Sequence, residues 1–85
     1  MRTFNLRIAT LDKTLLDGDV VHCRIRTANG SIGLEARHEP FLAALAPEST
    51  VEVRNEGGEV SSFPVSEGML SFAGNRCLIL LGPHA

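Results

Sequence analysis

Apolar and polar positions alternate with a period of two along most of this chain, and almost no stretch repeats at helical spacing. That pattern predicts strands, packed as sheets about one core. Phe4, Leu6 and Ile8 alternate with Asn5, Arg7 and Ala9, which predicts a first strand with one dry face and one wet face. Leu11-Asp12-Lys13 is expected to turn the chain toward Thr14 to Asp17, and Asp17-Gly18-Asp19 to turn it again.

Asn29-Gly30 is the preferred pair for a two-residue type I′ hairpin, in which both central residues need positive φ. With those residues as the loop, Thr27 lies opposite Ile32, Ile25 opposite Leu34 and Cys23 opposite Ala36, while Arg24 meets Glu35 on the other face. Farther along, Val51 and Val53 must share a face with Phe63 and Val65 across the Gly57-Gly58 turn. Parity then requires an odd loop of three or five residues. Pro64 has no amide proton to donate, so its strand is expected along an edge or bulged.

The last hairpin is expected to turn at Gly74-Asn75, with glycine first, as a type II′ turn. Phe72 then pairs with Cys77 and Leu70 with Ile79 on one side, and Met69 with Leu80 and Ser71 with Leu78 on the other. Both sides are mainly apolar, although a two-layer sandwich of this size has one core and wet outer faces. Something must cover the second side. The candidates are a loop of the same chain, Phe41-Leu42-Ala43-Ala44-Leu45, a partner protein, or both together.

Length and composition narrow the picture. Eighty-five residues form a single domain, 1 to 85, and a 44% hydrophobic content with 21% charged residues suits a folded core and not a disordered tail. The formal net charge is -2 and no run of Lys or Arg occurs, so nucleic acid is not an expected partner. No apolar stretch is long enough to span a membrane and no signal-peptide core is present, so the expected location is cytosolic. Cys23 and Cys77 fall at apolar strand positions and are read as buried thiols.

Candidate chemistry is sparse. His22 alternates onto the polar face with Arg24 and Arg26 and is expected to be solvated, His84 lies beside the terminus, and His38, before Pro40 and an apolar run, reads as a structural histidine. No nucleophile elbow, zinc or calcium ligand pattern, or phosphate loop is present: Gly30-Ser31-Ile32-Gly33 is followed by no lysine. The expectation is a protein with no catalytic, cofactor-binding or metal-binding residues.

The order of these features resembles one known family. Met1-Arg2-Thr3-Phe4-Asn5-Leu6-Arg7-Ile8-Ala9-Thr10-Leu11-Asp12-Lys13 is similar to the first strand and turn of the epsilon subunits of F-type ATP synthases. Asn29 through Leu45 resembles the family's Gly-x-x-Gly followed by Leu-Pro-Gly-His-x-Pro-Leu, with Glu35-Ala36-Arg37 in place of Leu-Pro-Gly. Ser66-Glu67-Gly68-Met69-Leu70 resembles its Ser-Gly-Gly-x-Leu, with Glu67 in place of the second glycine. Arg37-His38 and Glu67-Gly68 are also similar to the divergent, sodium-linked branch of the family.

The resemblance implies an all-β, two-layer flattened sandwich of about ten mostly antiparallel strands, without the C-terminal helical hairpin into which most relatives continue. It further implies a non-catalytic central-stalk subunit, clamped to the gamma subunit and seated on the membrane ring of c subunits, at the cytoplasmic face of the bacterial plasma membrane. Carried over by position, His38, Pro40, Phe41, Leu42, Leu45, Ser66, Glu67, Met69, Leu78 and Leu80 are expected toward gamma. Asn29, Gly30, Ser31, Ile32 and Gly33 are expected toward the ring. A free-standing sandwich that binds an unrelated protein is the alternative.

Overall fold

A computed structural model describes residues 2 to 83; the reading of His84 lies outside them. Nine strands are present among the described residues, and no helix: β1 (Phe4–Ala9), β2 (Thr14–Val20), β3 (His22–Thr27), β4 (Gly30–Leu34), β5 (Phe41–Ala44), β6 (Ser49–Arg54), β7 (Val60–Val65), β8 (Gly68–Ala73) and β9 (Arg76–Leu81). They form a five-stranded sheet in the order β2-β1-β9-β8-β5 and a four-stranded sheet in the order β4-β3-β6-β7. All pairs are antiparallel except β1 with β9.

The alternating apolar residues of both sheets meet in one core. Phe4, Leu6, Ile8, Cys23, Ile25, Leu34, Val51, Leu70, Phe72, Cys77 and Ile79 are all at most 2% exposed, and among the described residues no polar or charged side chain is buried with them. Phe4 and Phe72 anchor it with ring centroids 5.3 Å apart. Complete burial of each such side chain contributes about 1.5 to 3 kcal/mol, which is why the inward set tolerates no change of register. Cys23 and Cys77 are free and buried, as their positions predicted, and burial pushes both thiols up to about 12.

Several local expectations hold. The β8–β9 register is the predicted one, with Phe72 opposite Cys77, Leu70 opposite Ile79, Met69 opposite Leu80 and Ser71 opposite Leu78. Arg54 pairs with Val60, leaving the odd loop of five residues, 55 to 59, and Val51 faces Phe63. Pro64 lies on β7, an edge strand.

Others need correction. β2 runs straight through Asp17-Gly18-Asp19, because Arg7, Leu6 and Asn5 of β1 pair with those three residues in turn. The chain turns instead at buried Val21, whose amide donates to the Arg54 carbonyl at 2.9 Å and carries the backbone into the other sheet.

The β3–β4 loop is Ala28-Asn29 and not Asn29-Gly30, so Ile25 faces Ile32, Cys23 faces Leu34 and Arg24 faces Gly33. Thr27 decides this: its hydroxyl accepts the Asn29 amide at 3.1 Å and leaves only Gly30, at φ 118°, in the positive region. The pairing moves by two residues, so every side chain keeps its predicted face. The Gly74-Asn75 turn has φ of 58° and 60°, which makes it type I′ and not type II′.

Candidate protein-docking face

The outer face of the five-stranded sheet can be read row by row from the strand registers. One row runs Ala44, Met69, Leu80, Ala9, Thr14, and the next runs Leu42, Ser71, Leu78, Arg7, Asp17. Leu42 is 72% exposed, Met69 48% and Leu80 49%. The half of the face built on β5, β8 and β9 is therefore apolar and open to water, and the half on β1 and β2 is polar.

The segment from Phe41 to Leu45 does not fold over this face. It adds β5 to the edge of the sheet, with Leu42 opposite Ser71 and Ala44 opposite Met69, so it extends the apolar surface it was a candidate to cover. Around one end the surface dips into an open groove of about 550 Å3, lined by Ala44, Leu45, Pro47, Glu67, Gly68, Met69, Leu80, Leu81 and Gly82. Gly68 permits that shape, since a Cβ there would stand 2.9 Å from the Leu80 carbonyl oxygen and 3.2 Å from Leu45 Cδ1.

The outer face of the four-stranded sheet differs in kind. Arg24 faces Glu52 and His22 faces Arg54 there. His22 is half-buried and not fully solvated: its Nδ1 stands 3.4 Å from Glu35 Oε2, and its ring lies over Gly33, where a Cβ would come within 2.9 Å. Arg24, expected to meet Glu35, meets Gly33 instead because of the two-residue shift.

The residues singled out toward gamma divide by geometry. Leu42, Met69, Leu78 and Leu80 share the apolar outer face, Pro40 stands exposed just before β5, and Ser66 and Glu67 form the connection at the groove. His38, Phe41 and Leu45 are turned inward. The His38 ring packs edge-on against Phe41 and Phe72 at 5.7 and 5.6 Å, and its Nδ1 carries a proton donated to the Glu39 carbonyl at 2.7 Å. Leu45 is 5% exposed. These three shape the β5 edge from beneath.

The bend before β5 is tight although no glycine makes it. Arg37 takes φ 66°, and its amide donates to Asn75 Oδ1 at 2.8 Å. Asn29 to Gly33 form the tip and first half of the β3–β4 hairpin, exposed except for Ile32, which packs on the core. That tip lies at the groove end of the molecule, since the Ala46 amide donates to the Arg26 carbonyl at 2.7 Å.

Ala9, Ala44 and Arg7 belong to the outer face, although none of the three was singled out from the sequence as a contact residue. Ala9 was assigned to a wet face but is 4% exposed beside Leu80, a neighbour supplied by the parallel β1–β9 pairing that no local periodicity signals. Among the described residues no group of His, Cys, Asp and Glu side chains could hold a metal ion.

The class so defined is a small two-layer β-sandwich that leaves half of one outer face apolar and open to water, the kind of surface that protein contacts use. The family model described as the ATP synthase delta/epsilon chain β-sandwich domain matches residues 3 to 82, and the chain belongs to that family. It is 36% identical over 80 residues to the sodium-ion-specific ATP synthase epsilon chain of Propionigenium modestum, covering 94% of this chain and 57% of that protein. It is also 36% identical over 75 residues to the epsilon chain of Anaeromyxobacter sp. strain K, covering 88% and 55%. The chain thus spans a little over half the length of these curated relatives.

Among solved structures, a chain in the Euglena gracilis mitochondrial ATP synthase OSCP/F1/c-ring assembly matches with a TM-score of 0.87 and 28% identity, covering 93% of this chain and 50% of that one. A chain in the central stalk and c-ring of Tetrahymena thermophila mitochondrial ATP synthase matches with a TM-score of 0.79 at 22% identity over 96% of this chain and 65% of that one, a likeness of fold.

Proposed function

We propose that this chain is a non-catalytic central-stalk subunit of an F-type ATP synthase, linking the gamma subunit to the membrane ring of c subunits. Its work is mechanical: it helps ring and gamma turn as one body, so that ion flow stays coupled to ATP synthesis or hydrolysis. Held in the complex, it sits peripherally on the cytoplasmic face of a bacterial plasma membrane.

The observation that carries this reading is the open apolar half of the five-stranded sheet. Leu42, Met69, Leu78 and Leu80 form a continuous surface that no other part of the described chain covers. Burying it against gamma recovers about 25 cal/mol for each Å2 of apolar area removed from water. Pro40, Ser66 and Glu67 border the same contact, and His38, Phe41 and Leu45 hold its edge in shape. Asn29, Gly30, Ser31, Ile32 and Gly33, at the hairpin tip, face the ring. Family membership and the fold shared with stalk assemblies support both assignments.

Capture of the tagged chain from detergent-solubilised native membranes tests the reading. Gamma and c subunits should be retained together. Recovery of a different stable partner with neither of them would favour a free-standing interaction module instead.

A further inference from the structure

The apolar half of the docking face ends at two arginines. Arg7 follows Leu78 in the row that begins at Leu42, and the neighbouring row runs Ala73, Arg76, Asn5, Asp19. Arg7 on β1 and Arg76 on β9 therefore stand one diagonal step apart on the same face, both exposed.

Neither cation has an ion-pair partner among the described residues. Asp17 is the direct cross-strand neighbour of Arg7, yet the Arg7 guanidinium turns from it and donates through Nη2 to Thr14 Oγ1 at 3.3 Å. Thr14 ends the row that holds Met69, Leu80 and Ala9, so the guanidinium leans along the border of the apolar surface. Among the described residues the Arg76 side chain has no hydrogen-bond partner, and the one ion pair is His22 with Glu35 on the opposite sheet. Between the two arginines lies an open depression of about 290 Å3, lined by Asn5, Arg7, Ser71, Ala73, Arg76, Cys77 and Leu78.

We propose that this depression is the seat of a partner carboxylate: an Asp or Glu side chain of gamma, set at the edge of the apolar ridge that covers Leu78 and Leu80. The inference rests on the reading of the face as a gamma contact and adds the charge that contact must carry. When a partner dries the apolar half, water is also stripped from the rim, and guanidiniums left there unpaired oppose docking. One carboxylate accepts from both guanidiniums and from the Ser71 hydroxyl, which keeps each cation hydrogen-bonded and fixes the orientation of the partner. The four-stranded sheet offers arginines too, but the large apolar side chain exposed beside them is the lone Val60, opposite Arg54 at the edge, and not a row of them.

Binding isotherms of gamma on the full 85-residue chain, taken at low and at physiological salt, test this. The double reversal R7E/R76E should weaken binding roughly thirtyfold and flatten or invert its salt dependence, because like charges then face each other across the contact. R24E/R26E, on the other sheet, should change affinity less than about twofold, in line with surface charges outside a contact. R7Q/R76Q, which removes the charge without adding an opposing one and keeps a polar amide donor, should fall between wild type and R7E/R76E. If R7E/R76E binds within about twofold of wild type while L80E loses gamma, or if R24E/R26E weakens binding equally, the carboxylate seat is overturned and the stalk reading stands. Failure of the wild-type chain to bind gamma overturns both.

Discussion

Met69 and Leu80 stand opposite each other on β8 and β9, each about half in water, while the adjoining pair, Leu70 and Ile79, is completely buried. Side chains alternate across a strand, so one hairpin supplies the core with one set of residues and a partner with the other. The two sets should therefore respond differently to substitution. L80E should leave the unfolding free energy within about 0.5 kcal/mol of wild type, the usual range for surface changes, and abolish gamma capture. I79A should cost about 2 to 5 kcal/mol by opening a cavity. Chemical denaturation of both variants separates these outcomes, and loss of folding by L80E would assign that face to the core.

Asn75 ties three segments together. Its Oδ1 accepts the Arg37 amide at 2.8 Å, its Nδ2 donates to the Thr3 carbonyl at 2.9 Å, and its own carbonyl accepts the Asn5 amide at 3.1 Å. N75A removes both side-chain bonds and leaves a Cβ-bearing residue at φ 60° without local support. The expected loss is about 2 kcal/mol, with N75G losing less because glycine accepts that φ. Thermal unfolding of the two variants checks the order.

Arg37 holds a left-handed conformation, φ 66°, a region that favours glycine. R37G relieves strain worth about 1 kcal/mol while enlarging the entropy of the unfolded chain, and the hydrogen bond from the backbone amide to Asn75 survives. The expected result is a midpoint temperature equal to wild type or a few degrees higher, since about 1 kcal/mol shifts a domain of this size by about 4 to 8 °C. A clear fall would show that the Arg37 side chain contributes packing beyond its backbone role.

Burial pushes the Cys23 and Cys77 thiols from 9.0 up to about 12, and for Cys23 the neighbouring Cys77 adds to the effect. A group whose pKa is raised on folding contributes stability that is complete below its unfolded pKa and is lost as pH rises through the folded one. Between pH 9 and 12 the unfolded chain sheds protons that the folded chain keeps, so stability should decline there by roughly 1 kcal/mol per pH unit for each thiol. Below pH 8 the same groups should give no slope. A thiol reagent at pH 8 should label both cysteines only after denaturant is added.

The hairpin tip offers a separate test of the ring contact. Asn29 and Ser31 are exposed and lie outside the core. N29E/S31E should keep the fold within about 0.5 kcal/mol and reduce retention of c subunits in captures from native membranes. Undiminished retention of c would count against the assignment of this tip to the ring.

Much of this arrangement was legible in residue order. Alternation in β1, β6 and β9 marked the inward set, and the shared face of Val51 and Phe63 demanded an odd loop of three or five residues between β6 and β7, of which five is the one present. Pro64, which lacks an amide proton, announced a strand at an edge or with a bulge, and β7 is an edge strand. The apolar outer face was visible as a hairpin greasy on both sides, and its exposed members, Met69 and Leu80, were named from that pattern.

Local sequence determined which residues face inward, because the period of two is a property of the strand itself and survives even the two-residue shift of the β3–β4 register. It could not determine which strands become neighbours. The parallel pairing of β1 with β9 placed Ala9 and Arg7 beside Leu80 and Leu78, and the addition of β5 at the edge of β8 turned a possible cover into more open surface. Those choices depend on contacts between segments far apart in the chain, won by the burial of both sheets together, and so only the tertiary structure decided them.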